Sequence, residues 1–306
     1  MVSPRSTSDP QDDMAMAIAI DNRQATGPTA ARMLVGAQLR RLRRLAGISR
    51  EAAGEAIRAS DSKISRLELG RTGFKQRDVA DLLTLYGVTH EADRQAVLEL
   101  ARQASAPGWW HRYDDVVPAW YEPYIGLEQA SSVIRVYEVQ FIPDLLQIPD
   151  YTRAVVRLRE PEGGSELIER RVGLWRGRQE ILQRPRPPHL WVVIDETALR
   201  RPIGGRAAMR TQIRHLVEMA ELPHVTVQVL PFSIGGHAAT NGPITYLRFP
   251  EAELLDMVFL LQLSSAVYLE KTIHTERYRD VLDRLVIQAE QARESAPILR
   301  RILDEL

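Results

Sequence analysis

Apolar residues recur at three- and four-residue spacing through most of residues 31–103, the period of helices with one buried side. The spacing predicts a helix from Ala31 to Leu45, with Leu34, Leu39, Leu42 and Leu45 inward and Arg40, Arg41, Arg43 and Arg44 crowding the rest. Between Ser49 and Gly70 it predicts two short helices joined by a tight turn at Arg58-Ala59. Ser49 caps the first of these, and Glu51 sits in its first turn, where the helix dipole favours an acid. Ala53, Ala56 and Ile57 mark its buried face. Ser60 caps the second, Ile64 and Leu67 face inward, and Gly70 can take the left-handed conformation that closes a helix. Asp61, Ser62, Lys63, Ser65 and Arg66 are left facing outward. Two more helices follow, at 76–86 on Val79, Leu82, Leu83 and Tyr86, and at 90–103 on Ala92, Ala96, Val97, Leu100 and Ala101.

Past residue 103 the pattern changes. Residues 104–108, Ala-Ser-Ala-Pro-Gly, break the helix and read as a linker. Trp109, Trp110, Tyr113, Trp120, Tyr121 and Tyr124 then fall close together. They suit either a core clasp or one wall of a ligand pocket. Over 109–306 helices are predicted at 127–140, 149–159, 165–183, 206–221, 274–292 and 296–306. Strands are predicted at 190–194, 225–230, 244–249, 257–263 and 266–269, where apolar and β-branched residues cluster. The expected architecture is an all-α five-helix domain over 31–103, followed by an α+β domain with a four- or five-stranded sheet. Residues 1–30, rich in Ser, Asp, Pro, Gln and Ala, read as a disordered arm, with Met14–Ile20 as a short segment that could dock elsewhere.

Charge sharpens this picture. The formal net charge of the 306 residues is zero, yet Arg32–Arg77 carries twelve basic residues against four acids, leaving +8 there and −8 elsewhere. Such a positive segment is the electrostatic footprint of polyanion binding. There is no cysteine, so disulfides and thiolate metal sites are excluded. No stretch approaches the roughly 20 apolar residues of a membrane helix, and no secretory signal is evident, which leads to an expectation of a cytoplasmic, nucleoid-associated protein without a membrane partner.

The stretch Ser49-Arg50, Gly54, Ile57 and Ser60-x-x-x-Ile64-Ser65-Arg66-Leu67-Glu68-x-Gly70 resembles the helix-turn-helix of the Xre/Cro repressor family. That family often has Gly in the turn where this chain has Arg58, which would pay a steric cost on the order of 1 kcal/mol in a left-handed conformation. The resemblance implies a major-groove recognition helix from Asp61 onward, on a double-stranded DNA operator. It also implies that Arg71–Arg77 lies along the DNA backbone, with Arg71 and Lys75 adding charge. The expected DNA-binding residues are Arg50, Asp61, Ser62, Lys63, Ser65, Arg66, Arg71 and Lys75. Arg66 is the candidate base contact, with guanine its partner; Lys63 and Arg50 are expected to grip phosphates. Further on, Pro118-Ala-Trp-Tyr-Glu122, Tyr137-Glu138, Pro143-Asp-Leu-Leu-Gln147, Asp150-Tyr151, Asp195-Glu-Thr-Ala-Leu-Arg200, Gln228-Val-Leu-Pro-Phe232 and Tyr268-Leu-Glu270 resemble the C-terminal domain of a large group of actinobacterial Xre-type regulators. This implies a transcriptional regulator linked to development or secondary metabolism.

One short recognition helix contacts too few base pairs to mark a genomic site, so a homodimer on inverted half-sites is expected. The second domain would dimerise, sense a small-molecule ligand or dock a small protein partner; the alternative reading is an antitoxin-like protein that sequesters such a partner. Catalytic chemistry is not expected. There is no G-x-S-x-G, no phosphate loop, and no pair of histidines at i, i+4. His111 with Asp114 and Asp115 could reach a metal only by assembly from loops; no metal or cofactor is expected. Asp195 suits a helix cap better than a catalytic carboxylate.

Overall fold

The computed structural model describes residues 27–251 and 254–306. Residues 1–26 of the expected arm, with Met14–Ile20, lie outside the described residues. The chain divides into two compact units, Met1–Gly108 and Trp109–Leu306.

The first unit holds five helices among its described residues: α1 (Pro28–Leu45), α2 (Arg50–Ala56), α3 (Asp61–Glu68), α4 (Gln76–Leu85) and α5 (Glu91–Ala104). Pro28 occupies the first turn of α1, where its missing N–H costs nothing, so the helix starts three residues before the periodicity suggests. Leu34, Val35, Leu39 and Leu42 of α1 meet Val97, Leu100 and Ala101 of α5 in the core, joined by Ile64, Leu67, Val79, Leu82 and Leu83. Three expected core positions are corrected, and one of them, Ala92 in the first turn of α5, is exposed. Leu45 is half exposed at the end of α1, and Ala56 faces solvent because the buried side of α2 is Ala53 and Gly54.

The second unit is α+β, and its sheet has six strands, not four or five. These are β1 (Val133–Glu138), β2 (His189–Asp195), β3 (Val225–Leu230), β4 (Ile244–Arg248), β5 (Met257–Leu261) and β6 (Ala266–Leu269), in the order β3-β2-β1-β4-β5-β6. Strands β1, β2 and β3 run parallel, while β4, β5 and β6 are antiparallel to their neighbours. The extra strand is β1, which lies inside the stretch expected as a helix over 127–140. The helix there, α6 (Glu122–Ala130), stops before Ser131-Ser132, and Val-Ile-Arg-Val-Tyr-Glu then alternates between the two sheet faces.

The remaining helices are α7 (Pro149–Arg159), α8 (Ser165–Gln179), α9 (Glu196–Arg200), α10 (Gly205–Met219), α11 (Thr272–Gln288) and α12 (Ala292–Glu305). On one sheet face Tyr137, Val193, Tyr246 and Val258 pack with Leu282 and Leu285 of α11. Toward the other, Arg178 of α8 is buried beside Glu128 of α6. Its Nε and Nη2 donate to Glu128 at 2.8 and 2.7 Å, and its Nη1 donates to Asp144 at 2.9 Å. The rings of Tyr121, Tyr124 and Trp175 surround the guanidinium at 5.3–5.5 Å. Burial opposes this charge, and Glu128 more than offsets it, so the guanidinium stays well above its ordinary value.

The members of the aromatic cluster differ in their surroundings. Trp109 and Tyr113 press on Gly177 and Gly173 of α8, while Tyr121 and Tyr124 line a cavity.

Candidate nucleic-acid interface

The helix-turn-helix is built from local signals. Ser49 Oγ accepts from the Ala52 N–H at 3.1 Å, and Ser60 Oγ accepts from the Lys63 N–H at 3.2 Å, so both helices start on hydroxyl caps. Between them Arg58 takes φ 53°, the one positive φ outside glycine among the described residues. The left-handed turn is thus formed with an arginine in it. It is held by the Ala59 N–H bond to Gly54 O at 2.8 Å. A Cβ on Gly54 would stand 2.6 Å from Ala59 O, which is why the crossing of α2 with the turn needs glycine. Gly70 ends α3 at φ 65°, and the Arg71 N–H bonds Arg66 O at 2.9 Å.

Ile64, Leu67 and Glu68 fix the inward side of α3. Asp61, Ser62 and Arg66 are exposed on the opposite side, and Ser65 is half-buried beside them. These four recur at i, i+1, i+4 and i+5, so they share one face of the helix. Lys63 departs from expectation. It lies on the flank toward α4, half-buried, with its Nζ paired to Asp78 Oδ2 at 2.9 Å. A phosphate grip by Lys63 would have to open that ion pair.

Arg50 at the start of α2 and Lys75 ahead of α4 are exposed, as is Arg71. No ion pair holds Arg50, Arg66 or Lys75 among the described residues. In the loop after α3, the N–H groups of Thr72, Gly73 and Phe74 donate to no main-chain carbonyl among the described residues. They are donors of the kind that meet phosphate oxygens.

Two features were not legible residue by residue. Arg43, counted with the outward cations, is turned inward. Its Nη2 donates to Glu68 Oε2 at 3.0 Å and its Nη1 to Ile48 O at 2.8 Å. The hydrogen bonds it donates to Glu68 hold its guanidinium above the ordinary value. Gly36, Leu39 and Arg43 share one face of α1, and that spacing was the available signal. Arg40 and Arg44, one helical turn apart on α1, line a polar concavity with Arg50 and Ser65. The cationic surface therefore extends from α3 across to the end of α1.

In the second unit, Asp195 Oδ1 accepts from the Thr197 N–H at 2.8 Å and caps α9. Of the trio His111, Asp114 and Asp115, His111 lies 3.5 Å from Asp114, while Asp115 pairs with Arg170. Among the described residues no group of three or more His, Asp or Glu is placed to hold a metal ion. No helix of the described residues is long and apolar enough to cross a membrane.

Two capped helices, a tight turn and a polar outward face on the second helix define a helix-turn-helix unit ahead of an α+β unit. Residues 34–97 match the helix-turn-helix domain family. Residues 121–301 match a domain of unknown function (DUF5753), and because that match spans more than half of the chain, the chain belongs to this family. No curated protein and no solved structure matches the chain.

Proposed function

We propose that the protein is a regulator of transcription of the Xre/Cro type, which binds double-stranded DNA through α3 and works as a homodimer on inverted half-sites. The observation that carries this reading is the outward face of α3, with Asp61, Ser62, Ser65 and Arg66 exposed or half exposed on one side and Arg50, Arg71 and Lys75 exposed nearby. Small polar side chains and one long cation can enter the major groove without a steric penalty, and the surrounding cations neutralise phosphates. Arg66 takes guanine through O6 and N7, Ser62 and Ser65 discriminate less, and Arg50 holds phosphate. The half-site centres lie roughly 34 Å, one helical turn, or a multiple of it, apart. The resemblance to actinobacterial regulators supports a cytoplasmic, nucleoid-associated role in development or secondary metabolism. The second unit then regulates; it is not an enzyme.

The test is a binding-site selection on the wild type and Arg66→Ala in parallel. Arg66→Ala should weaken cognate binding by about 1–3 kcal/mol and relax preference at one base pair per half-site. An unchanged logo with uniformly weaker binding would demote Arg66 to a backbone contact. A logo without two-fold symmetry would remove the dimer.

A further inference from the structure

The second unit contains a cavity that the DNA-binding reading does not use. Val136 of β1, Thr245 of β4 and Phe259 of β5 stand in register across three strands. They face the same side of the sheet, and Ile134 and Glu138 flank Val136 at two-residue spacing on that side. The third slot of this inward row of β1 thus carries an acid. Tyr124 stacks on Phe259 at 4.0 Å, which closes the apolar floor. The volume of this partly open cavity is about 50 Å³.

The charges around the cavity are unequal in their commitments. Arg178 spends all three of its bonded nitrogens on Glu128 and Asp144. Arg159, at the rim, is exposed and stacked over Phe141 at 5.4 Å. Glu138 has no ion-pair or side-chain hydrogen-bond partner among the described residues. A half-buried carboxyl on the wall of an aromatic cavity, with no cation of its own, lacks its counter-ion.

We propose that this cavity binds the primary ammonium head of a small organic amine, with Glu138 as its counter-ion, Asp144 as a second acceptor, and the apolar body of the ligand along Phe141, Pro243 and Leu261. Glu138 supplies the uncommitted charge, because Asp144 and Glu128 are already bonded to Arg178, and an unpaired half-buried carboxylate favours a cation over an anion. The cavity has room for an ammonium head, with the rest of the ligand toward the rim.

The titratable and charged groups that share the cavity with Glu138 are Tyr121, Tyr124, Glu128, Asp144, Arg159 and Arg178, and Tyr137 and Tyr151 also interact electrostatically with it. Burial, reinforced by the Asp144 charge and opposed by Arg159, pushes the Glu138 carboxyl up to about 8. Burial raises Tyr121 and Tyr124 further above their ordinary range, so they stay neutral. Burial also works against the Asp144 charge, but Arg178 and Arg159 outweigh it and hold that carboxyl below its ordinary value. An amine must therefore release a proton from Glu138 on entering at neutral pH. Its affinity should rise up to about tenfold per pH unit below 8 and flatten above, while the amine stays charged to about pH 10.

The experiment is calorimetric titration of the full chain with phenethylamine, n-hexylamine, 2-phenylethanol and 3-phenylpropionate, from about pH 6 to about pH 9. The amines should bind at least about tenfold more tightly than the alcohol or the carboxylate, with the stated rise in pH. Glu138→Gln should lose about tenfold or more of the amine affinity together with its pH dependence, with an unchanged far-ultraviolet circular dichroism spectrum. Glu138→Asp should keep the preference for amines. If Glu138→Gln does not fold, the wild-type series with the four probes decides. The proposal is overturned by equal binding of amine and alcohol, by a preference for the carboxylate through Arg159, by no amine binding, or by a folded Glu138→Gln that binds amine like the wild type. None of these outcomes bears on DNA binding, which is read separately.

Discussion

Arg178→Met is the most informative perturbation of the second unit. The wild-type side chain is 1% exposed and its partner Glu128 is fully buried. Removing the guanidinium strips Glu128 of two hydrogen bonds at 2.7 and 2.8 Å, leaving only the Tyr124 hydroxyl, which donates at 2.9 Å. Methionine fills much of the volume, so the loss is electrostatic: a buried carboxylate without its cation, at about 3–5 kcal/mol. Asp144 loses its Nη1 partner as well, but its side chain is 25% exposed and water can replace part of that bond.

Glu128→Gln on the Arg178→Met background removes the stranded charge and keeps an acceptor for Tyr124. It should recover about 2 kcal/mol or more. The assay is urea unfolding of the full chain followed by tryptophan fluorescence. All five tryptophans, at 109, 110, 120, 175 and 191, lie in the second unit, so the signal reports on that unit alone. With a urea slope of about 2 kcal/mol per molar, Arg178→Met should lower the midpoint by about 2 M. A loss below about 1 kcal/mol, or a double variant less stable than the single one, would refute the stranded-charge argument.

Two further outcomes follow from the first unit. Affinity for duplex DNA should fall steeply and linearly in a log–log plot against salt, and Arg71→Gln or Lys75→Gln should each lower the slope by about one while weakening cognate and random DNA alike; a flat response between low and moderate salt would sink the phosphate assignment. Arg58→Gly should relieve about 1 kcal/mol of left-handed strain, partly offset by the greater freedom of glycine in the unfolded chain, and so raise the melting temperature by a few degrees in circular dichroism; a lowered melting temperature would show that the Arg58 side chain stabilises more than its backbone costs.

The first unit was legible because its signals are local. The caps Ser49 and Ser60, the C-terminal Gly70 and the apolar spacing of α3 all lie within one or two turns of what they control. The sheet was less legible. In β1, Ile134, Val136 and Tyr137 fit a helical spacing as readily as a strand, and the break at Ser131-Ser132 carries no proline or glycine to mark it. Parallel pairing of β1 with β2 then decides the matter through contacts more than fifty residues away. The buried charges follow the same rule. Arg43 meets Glu68 across 25 residues and Arg178 meets Glu128 across 50. Sequence spacing alone cannot separate such an arginine from one that faces solvent. The Lys63–Asp78 pair was hidden in the same way, because it joins α3 to a helix that begins beyond the following loop.

At Gly36 the backbones of α1 and α3 meet with no side chain between them: a Cβ there would stand 2.5 Å from Leu67 O and 2.9 Å from Glu68 O. Side chains at a helix crossing act as compliant spacers that can change rotamer and let one helix slide on the other. Two main chains in direct contact have no such give. The end of α3 is therefore mounted on α1 as one stiff piece, clamped about two turns further along α1 by the Arg43–Glu68 pair. Any force that tilts α1 carries Arg66 bodily with it. The approach of the recognition face to a groove is thus set by the attitude of the longest helix of the unit, not by play within the helix-turn-helix.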